Sequence, residues 1–445
     1  MQDLTKGKPI KVILLFTIPL LIGSFFQLAY NFADSMIVGH TLGKDAFASV
    51  GATGSLTFLI LGFAQGLTSG LAIVTAQKFG AKDELGIRQS FVHGLFYSIL
   101  TGLILSAVSL LGLRQLLVLM QTPENLIQHS QSFLTAIFGG MIFTILFNFL
   151  SSILRSLGDS KTPLYALIIA CIINIILDFS FILNFHMGVF GAGLATIIAQ
   201  AFSVLFLLLH IKKAVPQLHI KKTDWHLDKN NLKVHARLGF PMAFQASIIA
   251  LGAITLQVVL NKLGTNAIAA QAIAGKTDQL AMLPMMNLGL AVSTFTAQNY
   301  GASQYRRILE GLKQSLIINV TWSIVFAIIL VTFSDFFSGL FLSNGSKDVF
   351  ELALIYYTIN GACYWILSVL FILRSFVQGL GKGFIPTLAG IMELIMRGGV
   401  AIIGMIYFGF YGVASASPAA WLGSVIILVP SALILTKKLR HNERA

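Results

Sequence analysis

"KVILLFTIPLLIGSFFQLAYNFADSMIVGH" (11–40) is the stretch on which the reading turns. After Lys11 come 22 residues without a formal charge, and Asp34 closes the run with Met36, Ile37 and Val38 still to follow. About 20 apolar residues suffice for a helix to cross the hydrocarbon core of a bilayer. The segment is therefore long enough to span, yet carries a carboxylate near its end. It is too long for a signal-peptide core and lacks a small-residue cleavage site, so it reads as a retained helix.

Similar runs recur along all 445 residues, at 12–38, 46–76, 89–113, 131–154, 163–185, 190–211, 238–260, 267–297, 314–334, 351–373, 385–408 and 411–435. The chain is 56% hydrophobic and 11% charged, against about one quarter charged for a soluble domain. The expected fold class is an all-α polytopic membrane protein with twelve transmembrane helices. The net charge of +13 does not point to nucleic acid, because the basic residues sit in short loops between apolar runs. Loops numbered alternately place 24 Lys and Arg on one side and only Lys44, Arg114, Lys262 and Lys347 on the other. By the positive-inside rule both termini are cytoplasmic, in a multi-pass protein of the cell membrane. Cys171 and Cys363 each fall inside an apolar run and suggest neither a disulfide framework nor a metal site. Asn344-Gly345-Ser346 is a glycosylation sequon on the outer side, relevant only in a eukaryotic secretory pathway.

The halves repeat. "TAQKFGA" (75–81) matches "TAQNYGA" (296–302), and "ILRS" (153–156) matches "ILRS" (372–375). "GVFGA" (188–192) answers "GFYGV" (409–413), and "LGKDA" (42–46) answers "LGTNA" (263–267). The pairs keep one order and an offset of 219–221 residues, the mark of an internal duplication. Pro19 and Pro241 also occupy corresponding places. Six spans per half is even, so the repeats are parallel, related by an axis along the membrane normal. The expected organisation is an amino-terminal lobe (1–211), a basic cytoplasmic linker (212–237) and a carboxy-terminal lobe (238–445), with a cavity between the lobes.

An ionisable residue inside the membrane is a functional candidate by default. The first half holds Asp34 and Asp178 with no cation in its spans, and two carboxylates sharing a low-dielectric lobe cannot both ionise cheaply. Together they should bind a proton or a cation. The plain alternative for Asp34 is an interfacial residue capping its helix or reaching water. Tyr30 precedes Asp34 by four residues and Asn174 precedes Asp178 by four, so each pair shares a helix face. Asn148 and Thr196 add neutral oxygens, and the set of carboxyl, amide and hydroxyl oxygens suits a proton relay or a hard cation such as Na⁺ at Asp34, Asn174, Asp178 and Thr196. Singly, such Asn and Thr residues more often make ordinary interhelical hydrogen bonds.

In the second half Lys276, Asp278, Glu393 and Arg397 sum to zero. Glu393 and Arg397 are four apart and can meet, whereas Lys276 and Asp278 are two apart and should each find a partner on another helix. This set reads equally as a structural ion-pair network. Met282, Met285 and Met286 surround Pro284 and would suit an adaptable substrate cavity, although core or lipid-facing packing is the commoner use. Enzyme motifs are missing: "GLGKG" (379–383) has neither P-loop spacing nor its Ser/Thr, and no metalloprotease or hydrolase signature occurs. The chain is expected to be no enzyme, to need no cofactor and to draw on an ion gradient.

With these motifs assembled, the chain resembles the MATE (multidrug and toxic compound extrusion) family over essentially its full length. The residues responsible are "YNFADSMIVGHTLG", "TAQKFGA", "TAQNYGA", "LRSLGDSKTP", "NIILDFSFI" and "GVFGAGLAT". The resemblance implies two six-helix lobes in a V-shaped bilobal fold, and a monomer that exports cationic or amphipathic small molecules in exchange for H⁺ or Na⁺. It places the family's first-helix acid on Asp34 and its amino-lobe network on Tyr30, Asn148, Asn174, Asp178 and Thr196. Spans 238–260 and 351–373 hold no carboxylate beyond Glu351 at the boundary. In this the chain is closer to the DNA-damage-inducible branch than to the norfloxacin-efflux branch, and H⁺ is the preferred ion. A flippase for lipid-linked precursors is the alternative. Its pyrophosphate substrates call for unpaired cations, against the acidic pair found here. A receptor or scaffold would leave the duplication unexplained.

Overall fold

The computed structural model describes residues 2–120, 122–340 and 347–444; the Asn344 sequon lies outside them. Among the described residues there is no strand, and eleven helices are long and apolar enough to span a membrane. In chain order they are α1 (Pro9–Leu42), α2 (Asp45–Gly80), α3 (Glu84–Leu111), α5 (Lys161–Asn184), α6 (Gly188–Ala214), α7 (Lys229–Leu263), α8 (Thr265–Gly301), α9 (Tyr305–Thr332), α10 (Lys347–Gly379), α11 (Phe384–Phe408) and α12 (Phe410–Glu443). The twelfth, α4, is a broken pair, Glu124–Gly139 and Met141–Ser156, bent by 50°. The break falls at Gly139-Gly140, where two residues without side chains weaken the helix and allow a kink. A Cβ on Gly140 would lie 2.0 Å from Ile197 Cγ2, so α6 closes on the bend.

The chain divides into two compact units, residues 1–3 with 18–243 and residues 4–17 with 244–445. In the first, Phe149, Leu150, Ile153 and Leu154 of α4 pack with Leu67 and Leu71 of α2 and Leu207 of α6 in one buried cluster. Lipid offers no hydrophobic drive for helix association, so membrane helices pack closest through small residues. Gly66 and Gly70 of α2 illustrate this: a Cβ on either would come within 2.4 Å of Met242 O or 2.7 Å of Leu238 O. The first turns of α7 are thereby held backbone to backbone on α2. In the second unit Gly404 and Gly412 make the same kind of contact, at 2.8 Å or less.

The duplication is written in the backbone. Gly43 and Gly264 start corresponding helices with φ of 87° and 90°, and Lys82 and Ser303 take the left-handed region at 56° and 55°. Side-chain residues seldom adopt that region, so its recurrence at matched positions shows the same turn built twice.

Candidate functional site

In the first unit α1 lies against α5 through Gly23, whose missing Cβ would only touch Leu164 at 3.7 Å. One turn and more along, the polar faces read from the sequence meet. Tyr30 Oη donates to Thr196 Oγ1 at 3.4 Å, and Thr196 Oγ1 donates to the Ala192 carbonyl at 3.1 Å. Asn174 and Asp178 are fully buried. The Asn174 amide satisfies both neighbours when its nitrogen donates to Asp178 Oδ2 at 3.0 Å and its oxygen accepts from the Thr196 N–H at 3.2 Å. Asp34, half-buried, lies beside Asp178. Ionised carboxylates are acceptors only, so two side by side can hydrogen-bond to each other only where one of them holds a proton. Asp34 Oδ1 and Asp178 Oδ1 are buried and take no hydrogen bond from any donor among the described residues.

Asp178 also stands beside an irregularity. Residues Ser180–Asn184 form a π-helical turn at the end of α5, and such turns mark functional sites more often than chance. Asn148 is placed differently from its expected company. Its amide nitrogen donates to the Thr144 carbonyl at 3.0 Å, and the Thr144 hydroxyl bonds to Gln200 of α6. Tyr30, Asp34, Asn174, Asp178 and Thr196 are thus brought together, while Asn148 bonds within its own helix.

The second unit rearranges its expected charges. Asp278, 6% exposed, accepts from the hydroxyls of Tyr356 and Tyr364, both on α10. Glu393 takes Arg374 on one oxygen at 2.8 Å and Arg397 on the other at 3.1 Å, with Ser424 bonded to the same group at 3.3 Å. Lys276 is exposed and joins no ion pair among the described residues, contrary to the partner expected for it. The zero sum survives, but as a lone carboxylate among tyrosines and a triad with one excess positive charge. Tyr356, Tyr364 and Arg374 escaped the sequence reading. Arg374 closes an apolar run, and Tyr356 and Tyr364 carried one available signal, an eight-residue spacing on one helix. Met285 is fully buried, Met286 is 49% exposed and Met282 is half-buried.

A sequence profile described as MatE matches the chain twice, over residues 19–180 and 241–403, one match per repeat. The probable multidrug resistance protein YoeA of Bacillus subtilis is 32% identical over 337 residues, 74% of this chain and 73% of that protein. A second protein of the same organism, the probable multidrug resistance protein YpnP, is 29% identical over 85% of this chain and 84% of its own length. A crystal structure of MATE in the bent conformation superposes with a TM-score of 0.92 at 22% identity, covering 99% of this chain and 98% of that one. An outward-facing multidrug resistance MATE transporter gives 0.90 at 22% identity over 98% of each chain. Twelve spans, a doubled profile and a relative matched over about three quarters of both lengths agree: this multi-span membrane protein belongs to the MatE family of multidrug efflux transporters.

Proposed function

We propose that the chain is a secondary active antiporter of the cell membrane, with both termini cytoplasmic, that exports cationic or amphipathic small molecules in exchange for H⁺. The relatives named as multidrug resistance proteins support the substrate class. The observation that carries the coupling ion is the placement of Asp34 beside Asp178, each with a buried oxygen that finds no donor among the described residues, so that one proton shared by the pair is the simplest neutraliser. Releasing that proton leaves two adjacent carboxylates under strong repulsion, so the two protonation states favour different surroundings. A ligand drives a conformational change only through such a difference in affinity. Tyr30, Asn174 and Thr196 position the pair. The protein acts as a monomer and performs no bond-making chemistry.

One observation favours the flippase reading, the excess positive charge of the Arg374–Glu393–Arg397 triad. Purified protein in liposomes loaded with a fluorescent cationic dye, under an imposed pH or Na⁺ gradient, decides between the readings. Dye movement is expected with the pH gradient alone and should fall to the background of empty vesicles in Asp34→Asn. Movement with Na⁺ alone would replace H⁺ by Na⁺ at the same residues. Movement under neither gradient, or undiminished movement in the variant, would overturn the proposal.

A further inference from the structure

The second unit carries an apolar groove of about 570 Å³ on its outer surface, within the range of about 300–1,000 Å³ typical of ligand clefts. Its walls are Leu316, Ile317 and Val320 of α9, Leu373 of α10, and Leu433 and Thr436 of α12. These stretches all lie toward one end of their helices: the first half of α9, and the last turns of α10 and α12. That is the end rich in Lys and Arg, the cytoplasmic side in the orientation proposed above.

Three basic residues stand one turn beyond wall residues toward that end. Lys313 lies four residues before Ile317, Lys437 four after Leu433 and Arg440 four after Thr436, so each shares a helix face with a wall residue. Helical side chains lean toward the N-terminus of their helix. Lys313 therefore reaches outward from the start of α9, while Lys437 and Arg440 lean back along α12 toward the wall. All three are exposed and join no ion pair among the described residues. Two acids lie at this end: Glu310 is engaged by Arg306 at 3.1 Å, and Glu443 follows Arg440 by three residues on α12, so the three cations outnumber the one acid left to face them.

We propose that this groove is a binding site for an anionic phospholipid of the cytoplasmic leaflet, with an acyl chain in the apolar channel and the phosphate held by Lys313, Lys437 and Arg440. Any lipid can fill an apolar channel, and only the basic mouth selects among headgroups. Basic pockets between membrane helices on the cytoplasmic side hold anionic headgroups by this division of labour. The lining is against exchangeable polar substrates, since Thr321 and Thr436 supply its only hydroxyls.

The site rests on the proposed orientation for its leaflet, but its chemistry is tested independently of orientation and of transport. The full chain in detergent is titrated with phosphatidylglycerol and, separately, with phosphatidylcholine of the same acyl chains, and retained lipid is counted by native mass spectrometry. Wild type should retain the anionic lipid at least about fivefold better, the scale of a single basic contact. Lys313→Gln/Lys437→Gln/Arg440→Gln should lose that preference and still retain phosphatidylcholine. Val320→Trp, filling the channel, should weaken retention of both lipids. Lys212→Gln/Lys213→Gln, on the same side but in the first unit, should keep the preference. No preference in wild type, or a preference unchanged in the triple variant, would overturn the proposal. So would a dimer that Val320→Trp abolishes, which would assign the groove to a second copy.

Discussion

Glu393 holds Arg374 and Arg397 with its two oxygens, Glu393 and Arg374 buried and Arg397 half-buried within the second unit. Removing one member of a buried ionic group leaves charge without compensation, at a cost of about 3–5 kcal/mol. Glu393→Gln should therefore unfold at markedly lower temperature in detergent, whereas Lys276→Gln, at an exposed position, should stay within about 0.5 kcal/mol of wild type. Equal stability of both variants would refute the asymmetry. Residue by residue, legibility followed spacing along one helix. Tyr30 with Asp34 and Asn174 with Asp178 were visible because four-residue spacing is local information. That Thr196 joins them while Asn148 bonds to its own helix depends on how α1, α4, α5 and α6 pack, which no spacing records. Arg374 was misplaced because an arginine at the edge of an apolar run looks like a loop residue until another helix supplies its carboxylate.

At the scale of elements, the 212–228 segment shows how much order a hydrophilic stretch can hold. Asp224, 3% exposed, accepts from the Lys221 N–H at 2.8 Å and from Arg88 Nε of α3 at 2.9 Å. The Lys221 N–H and the Arg88 guanidinium hold its carboxyl below the ordinary carboxylate range. A group depressed on folding stabilises the fold above its unfolded value, about 3.9 for Asp, and that contribution is lost as pH falls through the lower folded value. Protection against hydrogen exchange in 216–228, taken relative to the intrinsic rate, should therefore fall below about pH 4, and should already be low at neutral pH in Asp224→Asn. Slow exchange in that variant would show the segment is held otherwise. A second fastening lies beside it, where the Asp228 N–H donates to His93 Nε2 and Ser90 bonds to His235. Hydropathy revealed each helix because a span is a property of composition. The 50° break in α4 left no such trace, since Gly-Gly inside an apolar run is compatible with a straight span.

At the scale of the whole molecule, the duplication was the most legible feature, and the matched left-handed residues Lys82 and Ser303 show that it extends to the backbone. The chain's first residues were the least legible. Leu4 is fully buried in the second unit, where its N–H donates to Gln298 Oε1 at 3.1 Å and its carbonyl accepts from Asn299 and Arg307 at 3.2 Å. No motif announces this, because the partners are distant in sequence and the segment is short. Leu4→Ala should lower stability by about 2–5 kcal/mol through the cavity it leaves, while Lys11→Gln, exposed on the same segment, should change thermal unfolding little; equal effects would show that Leu4 is not a core residue. The arrangement also sets a timetable for synthesis. Leu4 and Gln298 are separated by 294 residues, and at about 5–20 residues per second the ribosome takes about 15–60 s to bridge that interval. Throughout it the Leu4 segment has been made but its binding groove does not yet exist, so the second unit is completed by a segment synthesised well before the residues that receive it.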